Sequence, residues 1–555
     1  MHTSLAFKTL TEVLDHHARL KAAHTAYSFH YFPSDAVEKI SFGELAENAK
    51  KVAYSLLSEE LESKNVILIF SPGLQFIEVF FGCLYAGLHP IPMPAPIVQK
   101  QISRILNVLS DAEASAILTD DRLMSKLASF IPEDVKSKTK FLSRTNLSTG
   151  SKTTLPVINA EDTAFIQYTS GSVGAPKGVV ISHRNILHNE MVIKEAFEHD
   201  ETTSVVSWLP MFHDMGLIGN VLQPLYLGVH SVLMSPLAFI QKPVRWLELI
   251  SRYRATTSGA PNFGYDMCVK NVSEEQKIGL DLSSWTLAYS GAEPVRSLTI
   301  KSFVTSFENQ GFKEQAFYPC YGLAESTLFV TGVKKGESLK TLAIDATEYA
   351  RGKVILATSV ESSISLTSCG RPRSDQEVII VDTQTLTSLS EGEVGEIWVR
   401  SDSKAMGYWN NPKETDKTFN ARLRGTSSPT YLRTGDLGFI KGGDLFITAR
   451  VKDTIIIRGA NFYPQDIEHA IESDLGLPAG STAAFSVEIK NEEKLIVLSE
   501  VPLNKIDAVE TVTKTFGVRP YSVKYLDRGR LPRGSSGKLQ RFLCKKMYLE
   551  SLATE

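Results

Sequence analysis

The chain has 555 residues, of which 43% are hydrophobic and 22% are charged, and its formal net charge is −3 at pH 7. Its length is too great for one hydrophobic core and predicts two or more domains. The near-neutral charge gives no reason to expect nucleic acid or an anionic membrane surface as the main partner.

The cysteines and the N-terminal residues predict a cytoplasmic protein. Five scattered cysteines form no C-x-x-C pair and no zinc-ligand spacing, which suits a reducing compartment. The N-terminus lacks a signal-peptide pattern, and no window of about 18 apolar residues predicts a transmembrane helix.

The first half of the chain alternates short β-rich runs with helical patterns. Residues 66–70 predict a buried strand, residues 74–85 predict a helix, and residues 116–118, 205–209 and 231–234 predict further strands. This alternation predicts α/β subdomains around a largely parallel sheet.

The pattern changes in the second half. From about residue 370 to residue 450, short β segments separated by turns predict a β-rich subdomain, and residues 334–367 read as an inserted element. From residue 451 the chain predicts a small mobile α+β unit. The predicted domains are therefore an N-terminal domain over 1–450 and a C-terminal lid over 451–555.

Residues 168–178 read Y-T-S-G-S-V-G-A-P-K-G and follow an apolar run. Glycines at 171, 174 and 178 allow the backbone to approach an anion, hydroxyls add donors, and a lysine adds positive charge. This is the chemistry of a phosphate-binding loop, although the Walker spacing is missing. An ordinary solvated turn explains the composition of the loop equally well when the loop is taken alone.

This loop resembles the phosphate loop of the adenylate-forming superfamily, which includes acyl-CoA synthetases, luciferases and adenylation domains. The likeness continues in order from about Ser41 to Arg541, through S-G-A-E-P at 290–294, Y-G-L-A-E-S at 321–326, T-G-D at 434–436 and P-R-G-S-S-G-K at 532–538. Within the superfamily the chain most resembles the fatty acyl-AMP ligases.

The resemblance implies a site for ATP and Mg²⁺. Glu325 is implied as the Mg²⁺ ligand and Tyr321 as the ring that stacks on adenine, while Asp436 holds the ribose with Arg450 beside it. Many members have threonine where this chain has Ala324, so the missing hydroxyl contact falls to Ser326 or Thr169. The full set of implied ATP or AMP contacts is Thr169, Ser170, Gly171, Ser172, Gly174, Lys177, Gly291, Ala292, Glu293, Tyr321, Gly322, Ser326, Asp436 and Arg450.

Lysine and histidine positions complete the implied catalytic set. Lys538 lies on a basic glycine–serine loop and is implied as the catalytic lysine of adenylation, because it can deliver a point charge to the α-phosphate. Lys452 is implied as the hinge residue. His213 is implied to place the substrate carboxylate, and Met211, Phe212 and Phe263 to line an acyl pocket. For each position, an ordinary structural role is the alternative.

The substrate class follows from what is missing as well as from the resemblance. No acidic residue is evident to pair an α-ammonium group, so an apolar carboxylic acid fits better than an amino acid. In fatty acyl-AMP ligases an insertion after the Y-G-L-A-E segment disfavours the domain rearrangement used for thioesterification with CoA. Here 44 residues separate Glu325 from Gly370.

The resemblance therefore implies an enzyme that joins a medium- or long-chain fatty acid to AMP and passes the acyl group to the phosphopantetheine thiol of an acyl carrier protein or a carrier domain. An acyl-CoA synthetase that uses free CoA is the alternative within the same class. A binding protein that keeps the fold but lacks turnover is the alternative from another class.

Overall fold

The computed structural model describes residues 6–96, 99–147, 154–169, 176–359, 363–373, 375–489, 492–534 and 538–554. Four residues assigned to the phosphate loop, Ser170, Gly171, Ser172 and Gly174, lie outside these ranges. No helix within them is both long enough and apolar enough to cross a membrane. The fold is mixed α/β, as the sequence predicts.

The helices are α1 (Leu10–Leu20), α2 (Phe42–Ser58), α3 (Leu74–Tyr85), α4 (Ile102–Asp111), α5 (Asp121–Phe130), α6 (Glu133–Lys136), α7 (His183–Ala196), α8 (Asp214–Leu217), α9 (Gln223–Leu227), α10 (Pro236–Gln241), α11 (Val244–Tyr253), α12 (Asn262–Asn271), α13 (Glu274–Lys277), α14 (Ser297–Phe307), α15 (Ala346–Ala350), α16 (Pro412–Phe419), α17 (Pro464–Asp474), α18 (Lys505–Phe516) and α19 (Arg541–Thr554). A π-helical turn, Ile218–Leu222, joins α8 to α9.

The strands are β1 (Thr25–Tyr31), β2 (Ala36–Ser41), β3 (Asn65–Ile69), β4 (His89–Pro92), β5 (Ala116–Thr119), β6 (Lys140–Ser143), β7 (Thr163–Thr169), β8 (Lys177–Ser182), β9 (Val205–Ser207), β10 (Ser231–Met234), β11 (Thr257–Gly259), β12 (Leu287–Ser290), β13 (Phe317–Gly322), β14 (Phe329–Gly332), β15 (Thr341–Asp345), β16 (Ser363–Thr367), β17 (Arg371–Pro372), β18 (Glu377–Val381), β19 (Gly395–Arg400), β20 (Gly407–Tyr408), β21 (Leu432–Lys441), β22 (Asp444–Arg450), β23 (Ile455–Ile457), β24 (Ala460–Phe462), β25 (Thr482–Ile489), β26 (Glu492–Ser499) and β27 (Ser522–Tyr525).

The largest sheet is mostly parallel. Its order is β17-β14-β13-β12-β11-β9-β10-β1-β2, and the pairings from β13 to β1 are all parallel. Strand β9 ends at Ser207, two residues earlier than the apolar run predicts, because the Ser207 hydroxyl accepts a 3.1 Å bond from the Leu209 backbone N–H. The carboxyl ends of the parallel strands form the edge where open α/β sheets bind ligands.

Two further sheets flank this one. Strands β4, β3, β5 and β6 form an all-parallel sheet, and the central strand β3 is buried along its length, as the apolar run at 66–70 predicts. Strands β20, β8 and β7 pair antiparallel, so that Thr169 at the end of β7 lies opposite Lys177 at the start of β8. This hairpin frames the phosphate-loop segment.

The β-rich subdomain is a four-stranded antiparallel sheet of the order β18-β19-β21-β22. Asp436 lies inside β21. Gly435 adopts a φ of +71°, and the β19–β21 register shifts between Glu396 and Trp398, so the strand continues through the T-G-D triplet. The inserted element is better ordered than its weak periodicity implies, since β15 pairs antiparallel with β16 and α15 follows β15.

The C-terminal residues build their own layered unit around the sheet β25-β26-β27. One face carries α17 and α18 through a buried cluster that includes Ile467 and Val512. The other face carries α19 through a second cluster that includes Cys544 and Tyr548. Each cluster is apolar, which keeps this unit folded around its own core.

Candidate active site

A single cavity of about 1380 Å³ brings together most of the residues singled out from the sequence. It lies between the central sheet, the β-rich subdomain and the C-terminal unit. Its lining includes Thr169, Lys177, Phe212, His213, Phe263, Gly291, Ala292, Glu293, Tyr321, Gly322, Glu325, Asp436, Arg450, Lys452 and Lys538. Motifs that are hundreds of residues apart in the chain therefore share one site.

The β7–β8 hairpin positions the lysine of the phosphate loop. The Lys177 ammonium lies 2.9 Å from Glu414 Oε1 and 4.7 Å from the centre of the Tyr408 ring. Both partners come from the segment around β20 and α16, and β20 pairs with β8. A cation held between a carboxylate and a ring face has a fixed position, and it faces the cavity beside the phosphate-loop segment.

Gly178 has a structural role in this hairpin that differs from the one its loop suggests. A Cβ at this position would lie 2.8 Å from the Tyr168 ring and 2.9 Å from Ile166, closer than such contacts allow. Gly178 is therefore needed for packing within the β7–β8 pair.

Glu325 shares Tyr408 with the Lys177 site. Its Oε1 accepts a 2.9 Å hydrogen bond from the Tyr408 hydroxyl, and burial raises the pKa of the Glu325 carboxyl above its usual range, while that bond opposes the rise. A partly desolvated carboxylate that lacks a full positive partner suits a divalent cation, which typically binds one or two carboxylates together with substrate phosphates. The donor set therefore fits Mg²⁺.

Tyr321 and Asp436 lie together at one end of the cavity. The Tyr321 hydroxyl donates a 2.7 Å hydrogen bond to Asp436 Oδ2, and Arg450 Nε lies 3.4 Å from Oδ1. Asp436 and Arg450 are direct cross-strand partners on β21 and β22. Burial raises the pKa of the Asp436 carboxyl, and Arg450 counteracts this rise. The arrangement presents a carboxylate to a diol and a ring face to a base.

A buried ion pair holds the segment that carries Asp436. Arg433 Nε donates to Glu396 Oε1 at 3.3 Å and to Oε2 at 3.0 Å, and Arg433 Nη2 donates to Oε2 at 2.7 Å. Glu396 is only 2% exposed. Glu396 Oε1 also accepts the Gly435 backbone N–H at 3.2 Å. Bidentate pairs of this kind fix geometry as well as charge. This support could not be predicted from the residues around Asp436, because Glu396 lies 40 residues earlier in the chain.

The segment from Gly291 to Glu293 closes one side of the cavity directly after β12. Ala292 adopts a φ of +70°, which is rare for a residue with a side chain and marks a backbone held in place by its surroundings. Glu293 Oε1 is buried and has no hydrogen-bond partner. An unpartnered acceptor beside a nucleotide-sized cavity is suited to receive a donor from a ligand.

Lys538 extends from the C-terminal unit into the cavity. Its loop is held at the base, where the Gly534 N–H donates to the Lys538 carbonyl at 2.8 Å. Burial lowers the pKa of the Lys538 ammonium, and nearby Arg450 adds to this effect. The negative charges of Asp214, Glu293 and Asp436 act in the opposite direction, which places the lysine among acidic groups on three sides of the cavity.

His213 lies at the start of α8, where the chain turns. Its Nδ1 is 2.6 Å from Asp214 Oδ1. Burial alone would raise the pKa of Asp214, but the neighbouring His213 holds it below its ordinary value. The preceding carbonyl of Phe212 accepts a 3.1 Å bond from Gln167 of β7, which ties this turn to the phosphate hairpin.

An apolar recess continues from His213 into the large domain. Besides Phe212 and Phe263, its walls are Ile193, Phe197, Met215, Gly219, Tyr289, Leu328 and Phe329. Gly219 lies on the π-helical turn, and a Cβ there would have only Leu328 Cδ2, at 3.9 Å, as a neighbour. The recess suits a hydrocarbon chain with its carboxyl end at His213 and Lys538.

Two residues assigned from the sequence do not line this cavity in the part of the chain that the structure describes. Met211 packs against the main hydrophobic core, and Ser326 is fully buried, with its hydroxyl unpartnered. Conversely, Tyr408 and Glu414 line the cavity but were not predicted from the sequence. Tyr408 lies on a strand of two residues, too short to give a periodic signal.

Fold and cavity together define an enzyme of the adenylate-forming class. A profile of the family described as AMP-binding enzyme matches residues 14–409. The chain belongs to the AMP-binding enzyme family, and the resemblance to fatty acyl-AMP ligases within it is confirmed.

Three relatives illustrate the likeness. The chain is 41% identical to the medium-chain-fatty-acid–[acyl-carrier-protein] ligase JamA of Moorena producens, over 98% of this chain and 95% of that protein. It is 38% identical, with a TM-score of 0.78, to a crystal structure of a fatty acyl-adenylate ligase from L. pneumophila in complex with acyl adenylate and pyrophosphate, over 98% of each chain. A structure from a study of fatty acyl-adenylate ligases from E. coli and L. pneumophila is 29% identical, with a TM-score of 0.89, over 99% of each chain.

Proposed function

We propose that the protein activates a medium- or long-chain fatty acid with ATP to give acyl adenylate and pyrophosphate, then transfers the acyl group to the phosphopantetheine thiol of an acyl carrier protein. The observation that carries this proposal is the continuity of one cavity from the Tyr321–Asp436 pair, past Lys538, into an apolar recess. The names of JamA and of the L. pneumophila ligase support it.

In the first half-reaction a carboxylate oxygen of the fatty acid attacks the α-phosphorus of ATP, and pyrophosphate leaves. Lys538 is the cation that meets the charge developing on the α-phosphate oxygens, and such electrostatic stabilisation is usually the largest catalytic contribution. His213, held by Asp214, orients the attacking carboxylate. Lys177 and Thr169 hold the β- and γ-phosphate oxygens.

The adenosine is bound by the β-rich subdomain and the central sheet. We assign adenine stacking to the Tyr321 ring, adenine-pocket backbone to Gly291, Ala292 and Glu293, and the ribose hydroxyls to the Asp436 carboxylate. Enzymes of this class use ATP, and Mg²⁺ held by Glu325 would supply charge neutralisation for the triphosphate. The apolar walls keep water from the mixed anhydride once it has formed.

In the second half-reaction the thiol sulfur attacks the acyl carbonyl carbon, and AMP leaves. We propose that the domains divide at residue 450, with Lys452 as the hinge in the turn Val451–Asp453. ATP and carrier proteins are cytoplasmic, so we also propose a cytoplasmic location.

The inserted element supports a carrier thiol over free CoA. The centre of the Tyr349 ring of α15 lies 4.7 Å from the centre of the Tyr463 ring, and both side chains are almost completely buried. Ala350 joins the core of the C-terminal unit, while Ile344 and Leu366 pack with Phe439 and Phe446 of the β-rich subdomain. These apolar contacts join the inserted element to both the β-rich subdomain and the C-terminal unit, and they oppose a large rotation of the C-terminal unit.

The test supplies purified protein with ATP, Mg²⁺ and labelled dodecanoic acid, and offers free CoA or a phosphopantetheinylated acyl carrier protein as acceptor. Acyl-AMP with transfer to the carrier alone is the expected result. Efficient formation of acyl-CoA would replace the proposal with a CoA synthetase. Absence of pyrophosphate exchange with every acid tested would leave a binding protein.

A further inference from the structure

The C-terminal unit carries a concentration of positive charge that the adenylation chemistry does not use. Between Arg519 and Lys546 the sequence holds nine lysines or arginines and one acidic residue, Asp527, in a chain whose net charge is −3. Three of the nine, Arg533, Lys538 and Arg541, line the cavity, and Arg541 also forms a buried pair with Glu468. The others lie partly or fully at the surface.

Part of this charge is displayed by a tight turn after β27. The Arg530 N–H donates to the Asp527 carbonyl at 3.1 Å, and Gly529 has a φ of +81°. Leu531, only 3% exposed, anchors the turn in the α19 cluster. Arg528 and Arg530 are therefore directed into solvent from a backbone that is itself fixed.

Helix α19 continues the same surface with a mixed apolar and basic stripe. Phe542, Lys546 and Leu549 follow an i, i+4, i+7 spacing, and Phe542 and Leu549 are 46% and 42% exposed. Cys544 and Tyr548, on the opposite side of the helix, bury the face that packs on the sheet. The helix is thus apolar on two faces, and the described residues cover only one of them.

The turn and the helix are joined by the hairpin that carries the catalytic lysine. Arg533 and Leu539 form an isolated antiparallel β-bridge, and the Gln540 N–H donates to the Pro532 carbonyl at 2.8 Å. Lys538 directly precedes Leu539 in this hairpin. The Lys524 ammonium lies 5.3 Å from the Tyr548 ring, which places β27 beside α19. The basic surface therefore surrounds the base of the Lys538 hairpin, at the edge of the cavity.

We propose that Arg528, Arg530, Lys546 and the exposed stripe of α19 form the docking surface for a carrier protein with an acidic face. The inference rests on the proposed function and identifies the surface that its second half-reaction uses. A phosphopantetheine arm brings a negatively charged phosphodiester as well as a thiol, so a basic rim at the cavity edge attracts both the arm and an acidic protein that bears it. Complementary charge of this kind mainly raises the association rate.

The test compares wild type with the triple variant Arg528→Glu, Arg530→Glu, Lys546→Glu, using the phosphopantetheinylated acyl carrier protein of the expression host. Pyrophosphate exchange should stay within about twofold of wild type, because none of the three residues lines the cavity. We expect kcat/KM for the carrier to fall about 10- to 100-fold, and its decline with added salt to flatten. Leu549→Ser should weaken carrier acylation without changing the salt dependence.

Lys505→Glu provides the matched control. Lys505 is exposed at the start of α18, on the opposite face of the β25-β26-β27 sheet, so its reversal changes the charge of the same unit at a different place. Its carrier kinetics should match wild type.

The outcomes separate this inference from the proposed function. A triple variant with unchanged kcat/KM and salt dependence overturns the docking surface alone, and so does an equal loss in Lys505→Glu. The triple variant could instead lose binding to phosphatidylglycerol vesicles while it acylates the carrier normally. That result would make this a membrane-binding surface and overturn the inference as well. A wild type that forms acyl-AMP but acylates no carrier overturns the proposed acceptor and the inference together.

Discussion

Tyr321 and Asp436 lie 115 residues apart in the chain and are joined by a 2.7 Å hydrogen bond from the tyrosine hydroxyl to Oδ2 of the carboxylate. The bond fixes the angle of a ring on the central sheet relative to a carboxylate on the β-rich subdomain. The bond thereby aligns the two residues to which we assign the adenine and ribose contacts.

Asp436→Asn should raise KM for ATP about 10- to 100-fold, because hydrogen bonds to a charged group contribute about 1.5–3 kcal/mol. Initial rates of pyrophosphate exchange against ATP concentration measure this effect. Asp416→Asn, on the exposed face of α16, is the control and should match wild type. An unchanged KM in Asp436→Asn would remove the ribose contact from the site.

Lys538→Ala should slow acyl-adenylate formation by about 100- to 1000-fold, the size expected when one stabilising group of a transition state is removed. Transfer from preformed acyl-AMP to the carrier should change much less, because that step breaks the bond between the acyl carbon and the phosphate oxygen and forms no five-coordinate α-phosphorus. Lys545→Ala on α19 is the control for adenylation. Equal losses in both half-reactions would point to a structural role for Lys538.

Residues of the cavity were predictable where a short motif holds both the side chain and its backbone turn. Tyr321, Glu325, Asp436 and Lys538 belong to such motifs, and the structure gathers them in one cavity. Tyr408 was not predictable in this way, because it reaches Glu325 only through the pairing of β20 with β8, across 83 residues.

Side-chain direction was also beyond the sequence. Met211 and Ser326 stand next to lining residues, but Ser326 is fully buried and Met211 is half-buried against the main hydrophobic core. Gly322 does line the cavity, but its lack of a side chain has a packing cause, since a Cβ there would lie 1.7 Å from the Leu328 carbonyl oxygen. Its glycine reflects the contact between β13 and β14, which becomes visible only once the strands are paired.

Gly219 should set the length of acyl chain that the recess accepts. Gly219→Ala adds a Cβ at an ordinary contact distance, 3.9 Å from Leu328, and should fold and work as wild type. Gly219→Leu should keep activity with octanoate and lose at least about tenfold with hexadecanoate, since each methylene denied burial costs about 0.8 kcal/mol. Pyrophosphate exchange with a series of acids measures this. Equal losses at every chain length would show a folding defect or a different path for the chain.

Tyr349→Ala should weaken the packing of the inserted element on the C-terminal unit, because it removes the 4.7 Å ring contact with Tyr463. We expect acyl-AMP formation to continue and acyl-CoA formation from free CoA to rise from its wild-type level. Ile355→Ala is the matched control, since Ile355 belongs to the same insertion but is 50% exposed. Unchanged acceptor selection in Tyr349→Ala would leave the insertion without the assigned role.

Asp466 should make the C-terminal unit less stable in alkaline solution. Burial raises the pKa of this carboxyl to about 8, and the nearby Glu468 adds to the rise, while Asp466 Oδ2 has no hydrogen-bond partner. In the unfolded chain this carboxyl loses its proton near pH 4, so the folded state binds the proton more tightly. The free energy of unfolding therefore falls as the pH rises from about 4 toward the pKa of about 8 that Asp466 has in the folded state. The slope is at most about 1.4 kcal/mol per pH unit for one proton. Asp466→Asn should reduce the fall in Tm between pH 6 and 8, and an identical slope in variant and wild type would contradict the assignment.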